Sequence, residues 1–262
     1  MNGVLTITWK EMKGFMMRPA FYVICFFLTL LFSYSFSISL FQFVQMAGAM
    51  GMHPGMGGGQ QQANIHYMVF LKQLSMLNLL MIFAVPALTM KLFSEEKKMH
   101  TFDLLLTAPV TSFQIVLGKF LAAALAILFI VFLSMIYPLS TALFVENMKW
   151  GPLLISYLGL FLVGLVYVAM NLFCSSLTES ILISFFMSVI LNVSLWFIGM
   201  GVEIVDSQTA RQVFEHISLN SHLSGLVEGT IRSQGIVFIL SAVGLFLFLC
   251  ERIVESHRWR SS

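Results

Sequence analysis

Residues able to do chemistry are few in this chain, and they crowd together. Ten residues, Ser94 to Asp103, carry five formal charges and a histidine in the order SEEKKMHTFD. Asp103 and Asp206 are the only aspartates. Neither lies in an apolar run, so the paired carboxylates of general acid and base work are not offered inside a membrane. No His-Glu-x-x-His zinc motif is present. The one Gly-Lys pair is Gly118–Lys119, and Phe113 stands where a phosphate-binding loop requires its first glycine. That route to ATP is closed to this chain. Cys25, Cys174 and Cys250 each sit in an apolar run and are odd in number, so they read as small buried hydrophobes.

Two further groups carry polar atoms worth weighing. The stretch MAGAMGMHPGMGGGQQQANIH, 46–66, offers Met50, Met52, His53 and Met56, soft donors suited to an ion such as Cu(I). Its glycines give no preorganised geometry, so it reads as a flexible external spacer and no metal is assigned. Asn78, Asn171 and Asn192 lie within apolar runs. They read first as interhelical hydrogen-bonding residues and second as lining of a translocation path. Lys72 sits close to the end of a run, where its ammonium can reach the interface.

Composition decides what solvent these residues meet. The chain is 58% hydrophobic and 10% charged, with 26 phenylalanines and a mean hydropathy of +0.90. That leaves too little polar surface for a water-soluble core, so the side chains face lipid. A formal charge of +2 provides no basic field for nucleic acid. Crossing the hydrocarbon takes about 20 mostly apolar residues. Six runs qualify, at 20–44, 68–92, 119–144, 153–174, 181–200 and 235–251. Lipid offers backbone groups no partners, so all six are expected to be helices. The first is too long for a cleaved signal sequence. The expected class is an all-α integral membrane protein with six spans.

Lysine and arginine orient the spans. With both termini in the cytoplasm, the inside segments hold Lys10, Lys13, Arg18, Lys91, Lys97, Lys98, Lys119, Arg252, Arg258 and Arg260, and the outside ones Lys149, Arg211 and Arg232. This asymmetry gives an N-in, C-in topology and places 91–119 in the cytoplasm. Residues 3–17 set Val4, Leu5, Trp9, Met12 and Met16 at roughly helical spacing, with Lys10 and Lys13 off that stripe. The pattern predicts an interfacial helix along the membrane, ended by Pro19. Residues 203–232 place Val213, Phe214, Ile217, Leu223, Leu226 and Val227 at helical steps, as short amphipathic helices at the outer mouth would.

In the charged stretch, Ser94 is the expected N-cap, with Glu95 and Glu96 in a first turn that favours acids. A helix over about 95–106 would end before Pro109. Met99, Phe102, Leu105 and Leu106 would share one side, and the charges the other. Such a helix gives a cytoplasmic partner a knob for its socket. The bland alternative is a connecting loop whose charges set topology.

Three segments resemble a known family. SEEKKMHTFDLLLTAPVTSFQIVLGKFLA, 94–122, resembles the cytoplasmic loop of ABC transporter permeases of the type-2 exporter class, with its Glu-rich turn, leucine run, Thr-Ala-Pro-Val and lead into Gly-Lys. WKEMKGFMMRPAFYVICFFL, 9–28, is similar to their interfacial helix and first span. ISLNSHLSGLVEGTIRSQGIVFILSAVGLFLFLCERIVESHRW, 217–259, is similar to their last outer segment and final span, above all in the gliding-motility branch, from which Leu223 and Glu228 depart. The resemblance implies one permease domain over 1–262 in a bacterial inner membrane, without catalysis of its own. It implies two ATP-binding subunits that carry ATP and Mg, a second permease copy or a related permease, surrounding lipids and an external envelope partner. It implies a coupling helix in which Glu95, Glu96, Lys97 and Thr101 make polar contacts and Leu104, Leu105 and Leu106 anchor the helix to the spans. The Met/His loop keeps a nitrous-oxide-reductase maturation branch as a second placing. Outside the family, an ATP-independent carrier or channel is the alternative, disfavoured by the lack of intramembrane charge and of paired broken helices.

Overall fold

The computed structural model of the chain describes residues 2–52, 66–102, 109–143, 150–204, 218 and 233–260. Among the described residues all regular structure is helical. Six helical stretches have the length and apolarity to cross a membrane: Pro19–Met46, Met68–Lys98, Ser112–Ala142, Trp150–Leu177, Ile181–Gly199 and Ser233–Arg258. They are spans one to six below. Each expected run is present, and most helices extend past the apolar stretch that announced them. The first continues to Met52, so the beginning of the expected glycine-rich loop is helical; alanine and methionine outweigh the glycines there. Residues 53–65 and the expected outer helices over 205–217 and 219–232 lie outside the described residues.

The bundle is built around the fourth span, which packs against the second, third, fifth and sixth. The second, third and fourth spans are mostly buried, whereas the first, fifth and sixth leave most of their surface to lipid. Gly164 marks a close approach between the third and fourth, since a Cβ there would lie 3.0 Å from Ile127 Cγ2.

Two spans carry a proline away from their first turn, Pro86 in the second and Pro138 in the third, and each leaves a carbonyl without its helical donor. Pro86 frees the Ile82 carbonyl, and Asn192 Nδ2 of the fifth span donates to it at 3.2 Å. Pro138 frees the Ser134 carbonyl, and the Tyr157 hydroxyl of the fourth span donates to it at 3.1 Å. In hydrocarbon neither carbonyl has water to turn to, so a neighbouring span must supply the donor. The second span also breaks at Met90, between helical stretches Leu71–Thr89 and Lys91–Lys98. Ser175 stitches that break: its hydroxyl donates to Met90 O at 3.0 Å and accepts from the N–H of Phe93 and Ser94 at 3.2 Å each.

Helix α1, Asn2–Met17, precedes the first span and is separated from it by Arg18, with Pro19 at the first helical position of the span. It has two apolar faces. Ile7, Thr8 and Phe15 are buried against the bundle, while Leu5, Trp9 and Met16 are exposed. The stripe visible in the sequence is therefore largely the outward one, as suits a helix lying on a membrane surface. The face that packs on protein was not the stripe.

Candidate functional site

The charged stretch does not form a helix of its own capped by Ser94. Lys91–Lys98 is the end of the second span, and Ser94 lies within it, its hydroxyl donating to Met90 O. The helix runs on because the Ser175 bonds carry it through the break. It ends in a Schellman turn: His100 N–H donates to Lys97 O at 3.1 Å and Thr101 N–H to Glu96 O at 3.0 Å. His100 takes the left-handed position with φ 53°. Glycine would occupy that position without steric cost. Replacing His100 by glycine is expected to stabilise the protein by up to about 1 kcal/mol, and replacing it by valine to destabilise it by about 1–2 kcal/mol, as read from thermal unfolding in mild detergent. Unchanged midpoints for both would remove the left-handed turn.

Two charges of this helix end, Glu96 and Lys97, turn inward. Lys119, 1% exposed, lies at the centre of the arrangement. Its ammonium donates to Glu11 Oε1 at 2.8 Å and to Leu92 O at 2.7 Å. It forms an ion pair with Glu96 Oε2 at 2.9 Å, outside hydrogen-bond alignment, and lies 5.2 Å from the Phe93 ring centroid. Lys10 of α1 flanks Glu96 from the outside at 3.6 Å. One buried cation thus ties α1, the end of the second span and the start of the third.

Gly118, the residue before it, lets α1 come this close. A Cβ on Gly118 would lie 2.8 Å from Ile7 Cβ and Cγ2 and 3.2 Å from Val4 O. Thr8 Oγ1 donates to the Gly118 carbonyl at 3.1 Å across the same contact. The Gly-Lys pair, rejected as a phosphate-binding loop, is a docking seat for α1. Gly118→Ala is expected to cost about 1–3 kcal/mol, because α1 must move off the third span. A thermal midpoint equal to that of the parent would contradict the seat.

A second buried cation lies on the other flank. Lys97 Nζ donates to Ser176 O at the end of the fourth span and lies 2.9 Å from His257 Nε2 in the extension of the sixth. Phe102 is buried beneath, 6.1 Å from the Phe93 ring and 6.0 Å from the His257 ring. Phe102 therefore does not share an outer face with Met99, which is 67% exposed.

Of the residues read as coupling residues, Glu95 faces outward, half-buried, and pairs with Arg18 at 2.7 Å. Glu96 and Lys97 face inward, and Thr101 is exposed. Leu104, Leu105 and Leu106 lie outside the described residues, as do His53 and Met56; Met50 and Met52 fall in the last turn of the helix that holds the first span. Asn78, Asn171 and Asn192 are all buried inside the subunit. Tyr167 Oη lies 3.4 Å from Asn78 Oδ1, and Asn192 serves the proline-freed carbonyl. Lys72 donates to Gln42 of the first span at 2.9 Å.

The residues missed in the sequence are Glu11, Arg18, Gly118 and Lys119. Their signal was present: Glu11 is the one acid on α1, and Gly118–Lys119 ends the quoted loop motif. The start of the third helix was also set too late. Thr111-Ser-Phe-Gln114 is a capping box, with Thr111 Oγ1 accepting from Gln114 N–H and Gln114 Oε1 from Thr111 N–H, both at 3.2 Å.

The fold and the site define a helical membrane protein whose ionic junction gathers α1 and the ends of four spans at one end of the bundle. Residues 5–250 match the family described as ABC-2 family transporter protein. The match takes in most of the chain, and the chain belongs to that family. It is thus a membrane permease component, of a family that works with an ABC ATPase partner. No curated protein matches the chain.

Proposed function

We propose that this chain is the membrane-spanning subunit of an ATP-driven exporter, and that its ATP-binding partners dock on the end of the bundle bearing the ionic junction. The observation that carries the reading is the turn at 98–101. Lys98, Met99, His100 and Thr101 are exposed, while the residues on both sides, Lys97 and Phe102, are buried. A partner can grip the turn, and the Schellman bonds and Lys97 pass its displacement to the second, fourth and sixth spans. ATP-driven closure needs an element of that kind, stiff enough to bias between two arrangements. The coupling device is then the end of the second span with its turn, rather than a separate helix over 95–106. Leu104, Leu105 and Leu106 keep their proposed anchoring role.

In this reading the junction faces the cytoplasm of a bacterial inner membrane, N-in and C-in. ATP and Mg belong to two partner subunits, and a second permease copy or a related permease completes the transporter. Asn78 and Asn192 act as interhelical polar contacts, and the burial of all three asparagines, Asn171 included, within one subunit weighs against lining a translocation path. Placement in the gliding-motility branch rests on the resemblance of 217–259 alone, and the nitrous-oxide-reductase branch on the Met/His loop alone. The test is affinity purification of the chain from its native host in mild detergent. A stoichiometric ATPase is expected to co-elute, and to be lost in Glu95→Arg. A preparation without ATPase, under conditions that preserve a known permease–ATPase complex, would overturn the reading.

A further inference from the structure

Among the described residues, several buried polar atoms have no hydrogen-bond partner in the protein, among them both of Asn171, the hydroxyls of Ser184 and Ser188 and the Oδ1 of Asn192. Ser184, Ser188 and Asn192 recur every four residues on one fully buried face of the fifth span. Asn171 lies on the fourth span beside a reporter of position. One turn to one side, Tyr167 reaches Asn78 of the second span.

Register then fixes the level of each group. Four residues beyond the Asn78–Tyr167 contact stand Ile82 and Asn171. Asn192 donates to the Ile82 carbonyl, so Asn192 stands at the level of Asn171. Both polar atoms of Asn171 and the Oδ1 of Asn192 therefore share one level within the membrane, with Ser188 about one turn away. Proline has already fixed how Asn192 is turned, because its amide is engaged by the Ile82 carbonyl. Its Oδ1 remains as an acceptor.

We propose that the second, fourth and fifth spans enclose a binding site for water between Asn171, Asn192 and Ser188, within a single subunit. The site offers two amide oxygens, one amide donor pair and a hydroxyl, the donors and acceptors that buried water takes. Hydrocarbon supplies no other partner at this depth. The site is distinct from the ionic junction and stands whether or not the partner at that junction is an ATPase.

Radiolytic hydroxyl-radical labelling tests this, because radicals made from bound water mark the side chains beside it. The full chain in lipid nanodiscs would be exposed for milliseconds and read by mass spectrometry, with rates corrected for intrinsic reactivity. Cys174 and Tyr167, both buried, report on the site. Met81 is equally buried but packs in the apolar contact beside Gly164, and serves as the dry reference. Cys174 is expected to label severalfold faster than Met81, and the excess is expected to vanish in Asn171→Leu with Ser188→Ala. Equal rates at Cys174 and Met81 would overturn the proposal and leave a dry amide pair between the spans. So would an excess that survives both substitutions. The parent's own Cys174-to-Met81 comparison decides the matter should the double variant fail to fold.

Discussion

Replacing Lys119 by methionine is expected to destabilise the protein by about 3–5 kcal/mol, the usual consequence of removing one partner from a buried ion cluster. The loss comes less from the missing attraction than from what is left behind. Glu11 and Glu96 would face each other across a site that excludes most water, with only the exposed Lys10 near Glu96. The Leu92 carbonyl would lose its donor as well. Because the ammonium joins α1 to two spans, the damage should be spread: a lower unfolding midpoint, and α1 cut earlier by protease than in the parent. A triple replacement, Lys119→Met with Glu11→Gln and Glu96→Gln, should recover much of the loss, since an uncharged set carries no stranded ion. A single-variant loss below about 1 kcal/mol would mean that the cluster behaves as a surface pair, and the junction would not hold α1.

The six spans were legible because lipid imposes a crude rule, a run of apolar residues long enough to cross, and the helices obey it. Helix α1 was legible for a related reason, an apolar stripe beside two lysines. The junction was not, and the failure has a physical form. Glu95, Glu96 and Lys97 look like a solvated face in any local window. They meet partners 23 to 160 positions away in the chain: Lys119, Arg18, Ser176 and His257. No periodicity encodes such a pairing. Ser94 misled in the same way. A serine before two glutamates has the chemistry of an N-cap, but Ser175 of the fourth span had already carried the helix past the break at Met90. Where the error was avoidable, the signal was local: the capping box of Thr111 and Gln114 was readable from four residues. The asparagines stand between these cases. The expectation of polar contacts between helices came from the membrane alone and describes Asn78 and Asn192, while the carbonyl that Asn192 meets required knowing which spans are neighbours.

Reversing the charge of Glu96 should have a far larger effect than reversing that of Glu95, although the two are adjacent and were read as equivalent. Glu95 is 35% exposed and pairs with Arg18, itself 46% exposed. Exposed pairs contribute about 0–1 kcal/mol, so Glu95→Arg should fold and insert as the parent does. Glu96 is half as exposed and touches a cation that has almost no access to water. Glu96→Arg would replace its carboxylate with a second cation beside Lys119, leaving Glu11 to balance both. The expected loss is about 3–5 kcal/mol, of the same origin as that of Lys119→Met. The pair of variants separates two roles that a double reversal would merge. Thermal unfolding reads the structural one and should move for Glu96→Arg alone. Co-purification of the ATPase reads the docking one and should fall for Glu95→Arg at an unchanged midpoint. Equal midpoints for the two variants would show that the inward turn of Glu96 does not hold in the membrane. A normal midpoint with normal co-purification in Glu95→Arg would move the docking surface away from this helix end, toward the exposed turn at Met99 alone.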